Sequence, residues 1–109
     1  MDIRLKTLPL SFDGREYLLR CNMNVLATVQ EAHGGDLLDV LQSRSTIKSV
    51  LEFTAAMVND YAEEMDWPER YTANQIGRKL SFDKHFMSDI MKLISDAVNP
   101  EQKEDNPKN

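Results

Sequence analysis

The stretch LPLSFDGREYLLRCNMN, residues 8–24, is the most informative part of the chain, because it joins a β-hairpin signal directly to the start of a helix. Apolar residues alternate on both sides of Asp13-Gly14, which is the dipeptide most typical of a two-residue hairpin turn. The sequence therefore predicts a hairpin within residues 7–21. A two-stranded hairpin is marginally stable alone in water, so we expect it to pack on the helices, on a second copy or on a partner.

The turn also fixes the register of the two strands, because each residue then faces a defined partner. The predicted pairs are Leu8 with Leu19, Leu10 with Tyr17, Phe12 with Arg15, and Pro9 with Leu18. In this register the apolar side chains of both strands share one face. The missing N–H of the proline points outward, which blocks the edge of the first strand and leaves the edge of the second strand free for another strand.

Helical periodicity follows the hairpin almost to the end of the chain. Asn22 or Asn24 is positioned to cap the first helix, and Gly34-Gly35 ends it because glycine readily adopts the left-handed conformation. Asp36 is expected to cap a short helix that carries several leucines.

A long helix is predicted to begin at Ser45 or Thr46 and to run to about Met65, with Pro68 as its stop signal. Its apolar residues fall on one broad side, with Phe53 at the edge of that side. The predicted apolar side comprises Ile47, Val50, Leu51, Met57, Val58, Tyr61, Ala62 and Met65.

Two further helices are predicted in the C-terminal part. Thr72 and Gln75 have the spacing of a capping box, which opens a short helix through Leu80. Ser81 or Asp83 begins the last helix, which is strongly amphipathic. Its predicted apolar side comprises Phe82, Phe86, Met87, Ile90, Met91, Leu93, Ile94, Ala97 and Val98.

The predicted fold class is α+β and mainly α, with an N-terminal β-hairpin packed on a bundle of about five helices, three of them short. The helices occupy about residues 23–98, and residues 1–98 form a single domain. Residues 99–109 contain no apolar side chain and are predicted to be a mobile tail.

Composition limits the classes of function. The 109 residues carry a formal net charge of −5, which disfavours general nucleic-acid binding and binding to anionic membranes. No apolar run approaches the roughly 20 residues of a membrane-spanning helix, and the N-terminus has no signal-peptide pattern. Cys21 is the single cysteine, which is typical of a reducing cytoplasm.

Residues that could carry catalysis or bind a metal are sparse. His33 and His85 are the only histidines, and each fits an ordinary helical position. Cys21 falls at a strand end on the apolar side, where a small core residue is expected. No glycine-rich phosphate loop occurs. We therefore expect a protein that is not an enzyme and that uses no cofactor and no metal.

Partner binding is favoured by two features, namely the wide apolar sides of the long helices and the adaptable methionines on them. The alternative is that these methionines simply fill the core. The free edge of the second strand is a further place where a partner could bind. The predicted partner-binding residues are Met57, Met65, Phe86, Met87, Met91, Ile94 and Leu18.

The order of these motifs resembles the small tail assembly chaperones of long-tailed, siphovirus-like bacteriophages and prophages. Asp13, Gly14, Arg15 and Tyr17 match the family's hairpin turn, and Asn22 or Asn24 matches the asparagine that follows. A later segment of the family is matched by Thr72, Ile76, Gly77 and Leu80. The resemblance covers about residues 7–98.

The resemblance implies a non-enzymatic protein of the host cytoplasm that is not retained in the mature virion. Such proteins bind the tape measure protein and keep it soluble during tail assembly; contact with the tail tube protein and self-association are further possibilities. Two alternatives stay open, a structural tail or head–tail component and a small helical regulatory protein.

Overall fold

The structure is a computed structural model that describes residues 6–32, 34 and 47–98. The described chain forms one antiparallel hairpin and four helices, so it is mainly α with a small β element. The elements in chain order are β1 (Leu8–Phe12), β2 (Arg15–Leu19), α1 (Met23–Ala32), α2 (Ile47–Glu64), α3 (Ala73–Lys79) and α4 (Lys84–Val98).

The helix count differs from the prediction of about five. Four helices are present in the described part of the chain. The short helix predicted to start at Asp36 and the tail predicted over residues 99–109 both lie outside the described residues.

The hairpin has the predicted register in every pair, from Phe12 opposite Arg15 to Leu8 opposite Leu19. Its turn residues Asp13 and Gly14 have φ angles of 53° and 78°. Positive φ at both positions is the signature of a type I′ turn, whose twist matches that of the strands. The turn chemistry and the apolar alternation therefore act together to fix which face is buried.

Helix α1 is attached to the rest of the molecule through its cap. The side-chain oxygen of Asn22 accepts a hydrogen bond from the backbone N–H of Val25 at 2.9 Å, and its amide donates to a carboxylate oxygen of Asp60 at 2.8 Å. Of the two caps left open by the sequence, the first asparagine is therefore the one used. Val25 and Val29 are the buried residues of this helix.

Helix α2 is the centre of the molecule and is buried on more than one side. Every residue from Phe53 to Val58 is buried, whereas the sequence predicted a single apolar side with Phe53 at its edge. The reason is that separate elements pack around this helix. Asp60 contacts the cap of α1, and Asn59 bonds the backbone of Tyr71 before α3.

The small side chains of α2 are what allow this all-round packing. Ala55 and Ala56 are 5% and 6% exposed, and Thr54 is fully buried. The Thr54 hydroxyl donates to the backbone oxygen of Val50 at 2.8 Å, so its burial leaves no donor unsatisfied. Ile47 and Met65, at the two ends of the predicted apolar side, are instead exposed, at 58% and 44%.

Helix α2 ends one turn before the proline that the sequence analysis treated as its stop signal. Asp66 has a φ of 65°, and the N–H of Trp67 donates to the carbonyl of Ala62 at 2.9 Å. The N–H of Asp66 donates to the carbonyl of Glu63 at 3.2 Å. These two bonds form a Schellman motif, which satisfies the last carbonyls of the helix, and Pro68 follows it in a typical position.

Helix α3 has the predicted capping box, in which Thr72 and Gln75 each accept from the other's backbone N–H. It packs closely on α2 at Gly77, where an added Cβ would lie 3.1 Å from Cδ1 of Leu51. Tyr71 contacts Asn59 and Gly77 contacts Leu51, so α3 runs antiparallel to α2.

Helix α4 is capped by Asp83, one of the two predicted caps. Its carboxylate accepts hydrogen bonds from the backbone N–H groups of His85 and Phe86. Ile90, Leu93 and Ile94 are the buried residues of the helix.

Candidate partner-binding surface

The seven predicted partner-binding residues occupy three different environments. Met57 and Ile94 are fully buried, so both are core residues that offer no surface to a partner in this structure. Leu18 is 39% exposed on the outer face of the hairpin, and Met65 is 44% exposed after the end of α2. The remaining three lie half-buried on α4, at Phe86, Met87 and Met91.

Helix α4 brings its three candidates together along the border of the core. Ile90 is fully buried, while Phe86 precedes it by one turn and Met91 follows it directly. Met87 and Met91 are four residues apart, and such residues are neighbours on a helix surface. The two methionines therefore form a half-exposed pair, in contact with the core on one side and with solvent on the other.

Sequence reasoning missed other exposed apolar residues. Met23 is 78% exposed, Phe82 is 73% exposed and Ile47 is 58% exposed. The sequence placed Phe82 and Ile47 on the apolar sides of their helices. Phe82, however, precedes the cap of α4, where helical periodicity does not determine the direction of a side chain.

The hairpin is attached to the helices by a cluster of five aromatic rings. Tyr17 is stacked with Phe12 at 4.9 Å between ring centroids, and Trp67 meets Tyr17 edge-on at 5.3 Å. Tyr61 and Tyr71 complete the cluster, at 5.7 Å from Trp67 and 5.2 Å from Phe12 respectively. The single tryptophan of the chain therefore lies in this cluster, in the loop after α2.

Charged side chains add a second set of contacts between the hairpin and the segment of residues 64–71, which we call the strap. Arg20 pairs with Glu64, and Arg15 pairs with Glu69 at 3.0 Å while its guanidinium lies 4.3 Å from the centre of the Trp67 ring. The strap therefore runs antiparallel to β2. Exposed ion pairs contribute little each, so the aromatic rings supply most of the stabilisation.

The turn of the hairpin is attached to α3 as well. A carboxylate oxygen of Asp13 lies 2.8 Å from Nζ of Lys79 and accepts a hydrogen bond from the Tyr71 hydroxyl at 3.3 Å. The hydrogen bond that Lys79 donates to Asp13, together with the positive charge of Lys79, lowers the pKa of Asp13 below its usual value. Burial raises the pKa of Tyr71.

The free edge of β2 has a defined set of backbone groups. Pro9 lies opposite Leu18, as predicted, so the first strand lacks an outward N–H at that pair. In an antiparallel pair, alternate residues direct their N–H and C=O away from the partner strand. On β2 these residues are Glu16 and Leu18, which are both exposed. Strand addition at this edge stays a hypothesis.

The buried titratable groups have the environment of core residues. Cys21 is 3% exposed, and burial raises the pKa of its thiol to about 12. Tyr17 is 1% exposed, and burial likewise raises its pKa to about 12. A thiol with such a pKa is almost entirely protonated at neutral pH and is a poor nucleophile.

Within the described ranges, no group of three or more His, Cys, Asp or Glu side chains is arranged to hold a metal ion. His85 is exposed, and His33 lies outside the described residues. None of the helices in the described part of the chain has the length and apolar character needed to cross a membrane.

Comparisons with protein-family models, with curated proteins and with solved structures gave no match to this chain. A functional hypothesis therefore depends on the residues of this chain and on the motif resemblance alone.

Proposed function

We propose that this protein is a non-enzymatic tail assembly chaperone of a long-tailed bacteriophage or prophage. In this proposal it binds the tape measure protein in the host cytoplasm and keeps it soluble during tail assembly. It uses no cofactor and is not retained in the mature virion. Two observations support the proposal, namely the motif resemblance over residues 7–98 and the surface that the fold presents.

The observation that carries the proposal is the half-exposed pair of Met87 and Met91 on α4. A chaperone for a long helical protein must accept many different apolar side chains along its partner. Methionine suits this task because its side chain is flexible and its sulfur is polarisable. Phe86, one turn before the fully buried Ile90, adds an aromatic contact to the same helix.

The polar side of α4 supports the same use. Lys84, His85, Ser88, Asp89 and Lys92 are all exposed, so the helix presents a polar surface beside the methionine pair. The net charge of −5 also favours solubility of a complex that covers apolar segments. An apolar strip with a polar border is typical of surfaces that bind amphipathic helices.

Co-expression with the tape measure protein of the same genome tests the proposal. We expect the tape measure protein to appear in the soluble fraction together with this chain. The double variant Met87→Asp/Met91→Asp should weaken binding by at least about tenfold, which is roughly 1.4 kcal/mol, and so lower the soluble fraction of the tape measure protein. The tail tube protein is a second partner to test in the same assay.

Ser88→Asp is the matched control, because it adds a carboxylate to the exposed side of the same helix. Circular dichroism should show that both variants remain folded. If the tape measure protein is equally soluble with and without this chain, the proposal is wrong.

Mass spectrometry of purified phage particles separates the proposal from the structural alternative. A chaperone should be absent from the finished particle, whereas a tail or head–tail component should be present in a fixed number of copies.

A further inference from the structure

The hairpin has one strand edge that the rest of the described chain leaves open. β1 is the strand that contacts α4, and Lys6, just before it, pairs with Asp96 at 2.9 Å. Pro9 also removes an outward N–H from β1. On β2, Glu16 and Leu18 direct their N–H and C=O groups away from β1. No hydrogen bond joins these groups to another residue within the described ranges, so the edge of β2 offers donors and acceptors to a further strand.

The contacts that attach β2 to the helices do not use this edge. Tyr17 and Leu19 alternate with the outward residues and belong to the buried core. Arg15 has the same orientation, because it pairs with Glu69 while its guanidinium lies over the ring of Trp67. Successive side chains of a strand point to opposite faces. These contacts therefore lie on the inner face of β2, and the outer face and the edge are left to the exposed residues.

The outer face of the hairpin has two rows of side chains that run across the strands. Pro9 and Leu18 face each other and form an apolar row, and Ser11 and Glu16 form a polar row beside it. Leu18 is 39% exposed. The Glu16 carboxylate is exposed and has no ion pair in the part of the chain that the structure describes. A third strand on β2 extends each row by one side chain, which contacts Leu18 in one row and Glu16 in the other.

We propose that the edge of β2 binds an extended basic segment of another protein, which adds antiparallel to β2 as a third strand. The segment has an apolar side chain opposite Leu18 and, two positions later, a lysine or arginine opposite Glu16. Backbone hydrogen bonds supply the affinity, and the two side chains fix the register and the choice of ligand. The formal net charge of −5 favours a basic segment over an acidic one.

The edge of β2 is separate from the methionine pair of the proposed function, because that pair lies on α4. Binding of a basic segment and binding of the tape measure protein are therefore independent claims, and an experiment on one does not decide the other. A short synthetic peptide suffices to test the edge.

Titration of the isotope-labelled full chain with such a peptide, followed by two-dimensional NMR, tests the proposal. The peptide has the order valine, threonine, lysine at its centre, only serine and threonine around it, and blocked ends. We expect saturable shifts of the Glu16 and Leu18 amide signals. The order lysine, threonine, valine is the matched control of identical composition. It should bind at least about threefold more weakly, because it places its lysine opposite Leu18 and its valine opposite Glu16.

N-methylation of the peptide separates strand addition from general charge attraction. Methylation of the valine or the lysine nitrogen removes a donor that faces β2, so it should weaken binding by at least about tenfold. Methylation of the central threonine changes an N–H that points away from β2, so the affinity should stay within about twofold. Equal effects at all three nitrogens would show that no backbone ladder forms.

Glu16→Lys tests the charge choice from the side of the protein. The side chain is exposed, so this variant should remain folded, which circular dichroism checks. It should prefer the peptide that has glutamate in place of lysine, reversing the preference of the wild type.

Three results would overturn the proposal, namely no saturable binding, shifts confined to other amides, or equal affinity for the two peptide orders. A fourth would be shifts of the Glu16 and Leu18 amides that appear with rising protein concentration alone. In that case a second copy of the chain, rather than a basic segment of another protein, occupies the edge.

Discussion

At the scale of single residues, two backbone positions depend on side chains that tolerate positive φ. Asp13 does so in the hairpin turn, where a glycine follows, and Asp66 does so in the Schellman motif after α2. The left-handed conformation costs an L-residue roughly 1–2 kcal/mol, somewhat less for aspartate because its short side chain can bond locally. Of the two positions, only Asp13 was predictable from the sequence, because it belongs to the Asp13-Gly14 turn signal.

Asp66→Gly should therefore stabilise the protein by about 1 kcal/mol, because glycine adopts positive φ without steric cost. Urea denaturation followed by circular dichroism measures the change. Asp66→Asn controls for the lost charge and should change the free energy of unfolding little. Lys92→Gly, at an exposed position inside α4, should destabilise by about 1 kcal/mol. A destabilised Asp66→Gly variant would contradict the helix-end assignment.

Cys21 provides a probe of opening of the core, because its thiol is buried and its pKa is raised to about 12. At pH 8 we expect a thiol reagent to label the native protein far more slowly than the urea-unfolded chain. The labelling rate should rise with urea in parallel with the loss of structure. Immediate full labelling without urea would show that Cys21 is not a core residue in solution.

At the scale of elements, the hairpin is stable because the strap and α2 cover its apolar face. Trp67 joins the strap to the hairpin and to α2, because its ring lies against both Tyr17 and Tyr61. The hairpin alone lacks a third strand, and its own turn cannot supply the missing burial. The strap is therefore a structural element although its residues 65–71 have no helix or strand.

Trp67→Ala should destabilise the protein by about 2–4 kcal/mol, because it removes a large ring from a packed cluster. Urea denaturation followed by circular dichroism is the measurement, since the variant has no tryptophan fluorescence. Met23→Ala, at a residue that is 78% exposed, should change stability by less than about 0.5 kcal/mol. Equal effects of the two substitutions would show that the strap does not hold the hairpin.

Asp13 links the turn to α3 through an ion pair with Lys79, so part of the protein's stability should depend on pH. Its pKa is lowered in the folded state by Lys79, so its contribution to stability is present above the unfolded pKa of 3.8. That contribution is lost as the pH falls through the lower folded pKa. Asp13→Asn keeps a favourable turn residue without the charge. Between pH 5 and pH 2 the wild type should lose more stability than this variant, in thermal unfolding experiments across that pH range. Parallel curves would contradict the ion pair.

At the scale of the whole molecule, the hairpin and the helices share one core. Tyr17 and Leu19 from β2 belong to the same buried cluster as Phe53 and Met57 from α2. Elements joined by a common core unfold together, since exposing one leaves the others without partners. We therefore expect the described part of the chain to unfold as a single cooperative unit.

Two probes in different elements should consequently report one transition. We expect Trp67 fluorescence, which senses the strap, and circular dichroism at 222 nm, which senses the helices, to give the same urea midpoint. Separate midpoints would show that the hairpin detaches before the helices unfold.

The local features of this fold follow from the amino-acid sequence alone. The Asp13-Gly14 turn, the register, the capping box at Thr72 and the buried stripe of α4 all follow from short patterns. Such patterns are predictable because their causes, turn geometry and helix capping, involve residues only a few positions apart. The position of Met87 and Met91 on one side of α4 was predictable for the same reason.

The number of neighbours that surround each element depends instead on the tertiary structure. It buries Phe53, Met57 and Ile94 completely, packs Trp67 against both the hairpin and α2, and leaves Phe82 exposed. Helical periodicity gives the direction of a side chain relative to its own helix axis. Whether another segment lies in that direction depends on contacts between residues far apart in the chain, such as Asn22 with Asp60. For that reason, core and surface could not be separated along α2 from the sequence alone.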